Sequence, residues 1–296
     1  MKKKKMTKSK ETLEYLEKNR KILKDNHTKI LIVMSILSII LSIIFKDLKI
    51  AIMLAICICV FIGDTCLNKY TKEYTKEYKD FFISEIFERM FQNVTYKSDE
   101  KTNNKIFSIK LFSKNISEIT TNDHISAQHK NINFDFADMR IYHNDEPLMF
   151  IGQWYVFDFH KHFKEDVTII SKQYYEKKKE YLTIDNLNIV EVEDVVFNER
   201  FTILTKKDIN AFYALTPQII EKIKLLENNT KGNLILNFTK NKLHVGLNTC
   251  TDKFEPNIYK ENDILEIENQ TIKEITTMID LIESLDLNKN IFRKED

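Results

Sequence analysis

The sequence predicts an α+β chain. Two N-terminal transmembrane helices precede a cytoplasmic, mostly antiparallel β-sheet domain that also carries helices. Three observations carry this expectation. Two apolar runs, 30–45 and 50–67, lie four residues apart near the N-terminus. From residue 106 the apolar positions recur every second residue, the period of a half-buried strand. Two later segments switch to the spacing of amphipathic helices. The expected divisions are a basic cytoplasmic arm (1–29), a two-span hairpin (30–68), a juxtamembrane amphipathic helix (69–97), an α+β domain (106–288) and a polar tail (289–296).

The arm holds eleven Lys/Arg against four Asp/Glu. The first apolar run has sixteen uncharged residues between Lys29 and Lys46. At about 1.5 Å per residue it rises roughly 24 Å, a little short of a hydrocarbon core of about 30 Å. Flanking lysines that snorkel close that gap. Both runs are apolar on every side, whereas a helix in a soluble core keeps a polar stripe. A cleaved signal peptide does not fit an apolar run that starts thirty residues in and is followed at once by another. Positive charge stays on the cytoplasmic side, and two spans return the chain there. The expected location is therefore the inner cell membrane, multi-pass, with both termini cytoplasmic. Lys29, Lys46, Lys49, Asp64 and Tyr70 are the residues expected at or near the membrane interface, and the lipid bilayer is the expected partner. An anionic lipid surface or a protein is a possible further partner.

Beyond the spans, Tyr-Thr-Lys-Glu repeats with period four, which places Tyr70, Tyr74 and Tyr78 on one side of a helix. A polar linker follows. Strands are expected at 106–112, 124–142, 148–163 and 167–171, with a turn at 143–147. The charged tract 172–181 reads as a solvated loop or a short helix. Strand resumes at 188–194 and 200–205. Thr216 followed by Pro217 is a helix start, the hydroxyl as N-cap and the proline where no N–H is needed. Residues 233–247 read as a hairpin. A last amphipathic helix uses Ile272, Ile275, Ile279, Ile282 and Leu285.

Composition excludes several function classes. The four glycines, Gly63, Gly152, Gly232 and Gly246, are scattered, so no glycine-rich loop can cradle a phosphate. No Gly-x-Ser-x-Gly elbow occurs. Residues 69–296 carry a balance of −6, which argues against nucleic acid as a partner. Cys57, Cys59, Cys66 and Cys250 have neither disulfide-framework nor zinc-ribbon spacing. No cofactor is predicted.

The stretch FIGQWYVFDFHKHF, 150–163, is the one place where chemistry could gather. In an extended strand Trp154, Val156, Asp158, His160 and His162 share a face, while Tyr155, Phe157, Phe159 and Phe163 share the other. His160 and His162 could supply two ligands to one zinc, with His143, His129 or Asp166 as a third. Asp158 and His160 are the candidates for acid–base catalysis. The bland alternative is a polar strand end.

The same stretch, with VVFNERFTILTKKDINAFYALTPQIIEKI and LILNFTKNKLHVGL…DKFEP, resembles the bacterial domain-of-unknown-function 3137 family. The likeness covers most of 70–287. It falls on Phe150, Gly152, Asp158, Phe159, Phe197, Phe201, Ala211, Leu215, Thr216, Pro217, Phe254, Glu255 and Pro256. Ile151 and Ala127 depart from the pattern, and the histidines are no part of it. The resemblance implies an architecture and a location rather than a reaction. The functional expectation is a membrane-anchored interaction or scaffold module without enzymatic activity, binding a protein partner or the inner membrane surface. The alternative is a membrane-tethered, metal-assisted hydrolase using Asp158, His160 and His162.

Overall fold

The computed structural model describes residues 2–44, 53, 68–98, 107, 109–145, 148–259 and 264–284. The chain forms two compact units, Met1–Ile86 with Phe254–Thr271, and Phe87–Lys253 with Ile272–Asp296.

The first unit is helical. Helix α1 (Lys2–Ile44) packs along α2 (Asn68–Tyr78), which runs through a π-helical turn, Lys79–Ile83, into α3 (Ser84–Met90). Leu16, Arg20, Leu23, His27 and Met34 line the buried side of α1. Arg20 is held there by Glu17 (2.7 and 2.8 Å) and by donating to the Ile258 carbonyl at 2.9 Å. Those bonds remove the cost of burying a charge unpartnered. Tyr74 and Tyr78 are buried, while Tyr70 is exposed. The period-four repeat thus makes a packing seam with Phe82. Lys79 pairs with Glu255, and Phe254 is buried beside it in sequence.

The expected transmembrane hairpin is not supported. Among the described residues no helix is long and apolar enough to cross a membrane. The first apolar run is the end of a 43-residue helix whose earlier turns are strongly charged. Its apolar part, 30–44, rises only about 22 Å. It buries Met34 and leaves Leu31, Ile32, Val33, Ile36 and Ile39 exposed. The second run lies outside the described residues except Met53, as do Lys46, Lys49 and Asp64. The multi-pass placement in the inner membrane goes with the hairpin.

The second unit is built on a seven-stranded antiparallel sheet, which agrees with the α+β expectation. Its order is β1 (Gln92–Lys97), β2 (Ile116–His129), β3 (Ile132–His143), β4 (Phe150–Ser171), β6 (Phe201–Thr205), β5 (Asn188–Val190), with β7 (Asn233–Asn248) also on β4. The 22-residue β4 organises the sheet. One edge pairs first with β3 and then with β6, and the other pairs with β7 from Gln153↔Leu247 to Ile170↔Ile235. At its centre both faces are covered, Trp154 and Val156 on one and Tyr155 and Phe157 on the other. Helices α4 (Lys172–Lys178), α5 (Val195–Arg200), α6 (Asp208–Ala214), α7 (Pro217–Asn229) and α8 (Ile264–Ser284) complete the fold.

Three local expectations change. Residues 92–97, expected in a helix, form the edge strand β1, because β2 offers its open side. The segment 106–112, expected as strand, holds a 3₁₀ turn over Lys110–Phe112 that turns Leu111 and Phe112 into the core. The hairpin expected at 233–247 is one continuous strand. Its polar centre, Thr239–Asn241, is a kink with Lys240 at φ +48, opposite a bulge between Asp158 and Phe163 of β4. Asn241 beside Lys240 is the one residue of turn type there, and the positive φ falls on the β7 side alone.

Candidate functional site

The residues singled out in 150–163 do not converge. Asp158 is half-buried at the surface, paired with Lys242 and accepting from Asn133 at 2.9 Å. His162 is exposed and bonded to Asn241 at 2.6 Å. The His160 side chain lies outside the described residues. The described residues place no third metal ligand beside Asp158 or His162. His129 lies against Phe91, His143 accepts from the Asp145 N–H at 3.0 Å, and Asp166 accepts from Thr239 at 2.7 Å. The register shift at 158–163 explains the dispersal, because the simple two-residue alternation breaks where the histidines begin. Lys29 and Tyr70 are exposed. Phe150, Gly152, Phe159 and Phe201 are buried in the sheet unit, and Thr216 caps α7 by accepting from the Ile219 N–H at 3.4 Å, with Pro217 in its first turn.

A polar network does form at the other end of β4. Gln153 donates to Asp138 Oδ1 at 2.8 Å and to the Thr251 carbonyl at 2.9 Å, and it accepts from Thr249 Oγ1 at 2.9 Å. The Lys253 N–H donates to Asp138 Oδ2 at 3.0 Å. Asp252 accepts from Asn122 at 3.1 Å and from Arg140 at 2.8 Å. Burial pushes the Asp138 carboxyl well above the usual carboxylate range, and the nearby Asp252 and Asp123 push it further. These bonds fasten the segment after β7 across β3 and β4, and the space beside them is closed to water. The network is a staple for a loop. Its signal is legible in the alternation Phe134, Phe136, Asp138, which places an acid on a core face.

The surface feature that packing leaves unexplained is α6. Its buried positions are the small ones, Ala211 and Ala214, whereas Ile209 is 69% exposed, Phe212 52% and Tyr213 49%. An amphipathic helix normally turns its large apolar side chains inward. Here the order is inverted, because α6 lies close on the sheet and only alanine fits beneath it. Beside it runs the edge strand β5, fixed to the helix start by Asn188 Nδ2 donating to Asp208 Oδ1 at 3.2 Å. Ile189 on that strand is 61% exposed, on the sheet face opposite to Asn188 and α6. Beneath the helix end, buried Lys161 donates to the Tyr213 carbonyl at 2.9 Å, with its ammonium 4.5 Å from the centre of the Tyr213 ring. A cation suits the negative end of a helix. Burial lowers the Lys161 pKa. The Tyr213 ring also packs on Phe163 at 5.4 Å. The platform of Ile209, Phe212 and Tyr213 is therefore held from below. Sequence reasoning missed these three residues. The readable signal is DINAFYA, where alanines take the i, i+3 spacing of a buried stripe and aromatics take the outside.

No curated protein matches the chain. Among solved structures, the mycobacterial trehalose monomycolate transport factor A is similar over 71% of this chain and 95% of its own, with 9% identity and a TM-score of 0.41. That likeness is too distant to carry an argument. Residues 148–287, which hold β4 to β7, Asp158 and the α6 platform, match the model of a family described as protein of unknown function (DUF3137).

Proposed function

We propose that the chain is an interaction module and that a protein partner docks on the platform made by α6, beside the edge of β5. The observation that supports this reading is the inverted helix, with Ile209, Phe212 and Tyr213 outside and Ala211 and Ala214 inside. Exposed apolar residues scattered singly are ordinary, but a contiguous group on a rigid base is the usual mark of a binding surface. Aromatic side chains favour such a role because they bring contact area at low entropic cost. The edge of β5 adds unpaired backbone groups that a partner strand can use. A partner with an apolar, aromatic-accepting surface fits both features.

The test is site-specific photocrosslinking of the full chain in its native host. A photoreactive phenylalanine derivative at position 212 should give one discrete crosslinked species, and the same group at Glu118, exposed on β2, should not. Ile209→Asp should abolish that species without unfolding the chain, since the side chain is already in solvent. Identical products at both positions, or a crosslink indifferent to Ile209→Asp, would defeat the proposal.

A further inference from the structure

The side of α1 that carries Leu16, Leu23 and His27 is buried. Another side of the same helix shows a heptad. Tyr15, Ile22, Lys29 and Ile36 lie seven residues apart, and Lys18, Asp25, Ile32 and Ile39 fall between and after them at spacings of three and four. That is the a and d pattern of a coiled coil, sustained over more than three heptads. All eight side chains are exposed, the four isoleucines by 49 to 61% and Tyr15 by 51%. The stripe runs about 36 Å along the helix. A seam of this length and period suits a second helix. Asp25 and Lys29 at its middle exclude a purely apolar neighbour, and neither has an ion pair among the described residues.

The charges on the seam select the neighbour. A second α1 lying parallel and in register would stack Lys18 on Lys18, Asp25 on Asp25 and Lys29 on Lys29. Lying antiparallel, it sets each a position against a d position. One register then opposes Asp25 to Lys29, Ile22 to Ile32, Lys18 to Ile36 and Tyr15 to Ile39, each twice about a twofold axis. The ion pair is made reciprocally, isoleucine layers flank it, and the stem of Lys18 lies along Ile36 with its ammonium in water. A shift of one heptad in one direction sets the short Asp25 on Ile36, and in the other it sets Lys18 on Lys29. Beside Ile22 a groove of about 220 Å³, lined also by Asn19, Asn26 and Tyr70, gives the partner's Ile32 a hole to enter. We propose that α1 pairs antiparallel with the α1 of a second copy of this chain, with the twofold axis at the level of His27.

Sedimentation equilibrium of the purified full chain tests this and should show a dimer. Asp25→Lys turns both ion pairs into repulsions and should raise the dimer dissociation constant about tenfold. Asp25→Lys combined with Lys29→Asp restores opposite charges across an antiparallel seam, and should return the constant to within about threefold of the native value. A parallel pair gains nothing from that exchange. Ile36→Asp should leave a monomer. All these positions are exposed in the single chain, so the variants do not threaten its fold. The proposal is overturned by a chain that stays monomeric, by a trimer or tetramer, by an affinity indifferent to Asp25→Lys, or by a double variant no tighter than the single one. Ile209→Asp should leave the dimer unchanged; its loss in that variant would overturn the pairing and assign self-association to the α6 platform. Failure of the α1 pairing in the other variants leaves the docking surface untouched.

Discussion

At Gly152 the backbone of β4 takes φ +151 where the chain after β7 crosses it. A Cβ built there would lie 2.1 Å from the Leu247 carbonyl oxygen and 2.9 Å from the Thr249 nitrogen. Both are backbone atoms and cannot turn aside. The neighbouring Gln153 ties the same crossing segment down through Thr249 and Thr251, so the two chains cannot separate without breaking those bonds. Gly152→Ala should therefore cost on the order of 3 kcal/mol, far above the usual glycine-to-alanine difference. Trp154 is the chain's only tryptophan and lies two residues away. Its fluorescence during urea unfolding reads that loss directly, and a change below about 1 kcal/mol would show that the crossing is not tight. By contrast Asp158 and Lys242, the most conspicuous surface ion pair near the histidines, are each nearly half exposed. Such a pair contributes at most about 1 kcal/mol.

Among the elements, β7 shows where sequence reading stops. Leu234, Leu236 and Phe238 alternate, and Leu243, Val245 and Leu247 alternate again with the phase shifted by one. That pattern suits two strands joined by a turn or one strand with a kink. Only the partner decides, and β4 provides an unbroken edge on either side of its own bulge. The same limit applies to 106–112, whose alternation is satisfied as well by a 3₁₀ turn into the core. Thr216 and Pro217 were legible because a helix start is fixed by local chemistry, without help from distant residues. The α6 platform escaped notice because apolar residues in a sequence read as core, and their exposure depends on how closely the helix approaches the sheet. At the kink itself Lys240 holds φ +48, which disfavours β-branched side chains most. Lys240→Val should destabilise the sheet unit by roughly 1–2 kcal/mol, while Lys240→Gly should be neutral or slightly stabilising. Equal effects in urea unfolding would mean that the kink is relaxed in solution.

For the sheet unit as a whole, the response to acid follows from one histidine at its centre. His244 on β7 is buried and accepts the Trp154 indole N–H through Nδ1 at 3.3 Å. Burial, helped by Lys242, pushes its pKa down to about 4 from an ordinary 6.5. The folded state thus holds His244 neutral where the unfolded chain would already be protonated. Above about pH 6.5 both states are neutral at this site and no penalty exists. As pH falls from 6.5 to about 4 the unfolded state takes up the proton first, and stability declines by at most about 3 kcal/mol. Below that the two states bind the proton alike and the loss levels off. Asp138 has the opposite sign: its raised pKa costs stability at neutral pH, and that cost is relieved by acid. A direct pH profile mixes the two, so the informative quantity is a difference between variants. His244→Gln keeps an acceptor for Trp154 and has no proton to gain. In urea unfolding followed by Trp154 fluorescence, the native chain should lose stability relative to this variant between pH 6.5 and 4.5 and run parallel to it above pH 7. Parallel behaviour through the whole range would mean that His244 titrates freely, and that the sheet is open enough at its centre to admit water beside the indole.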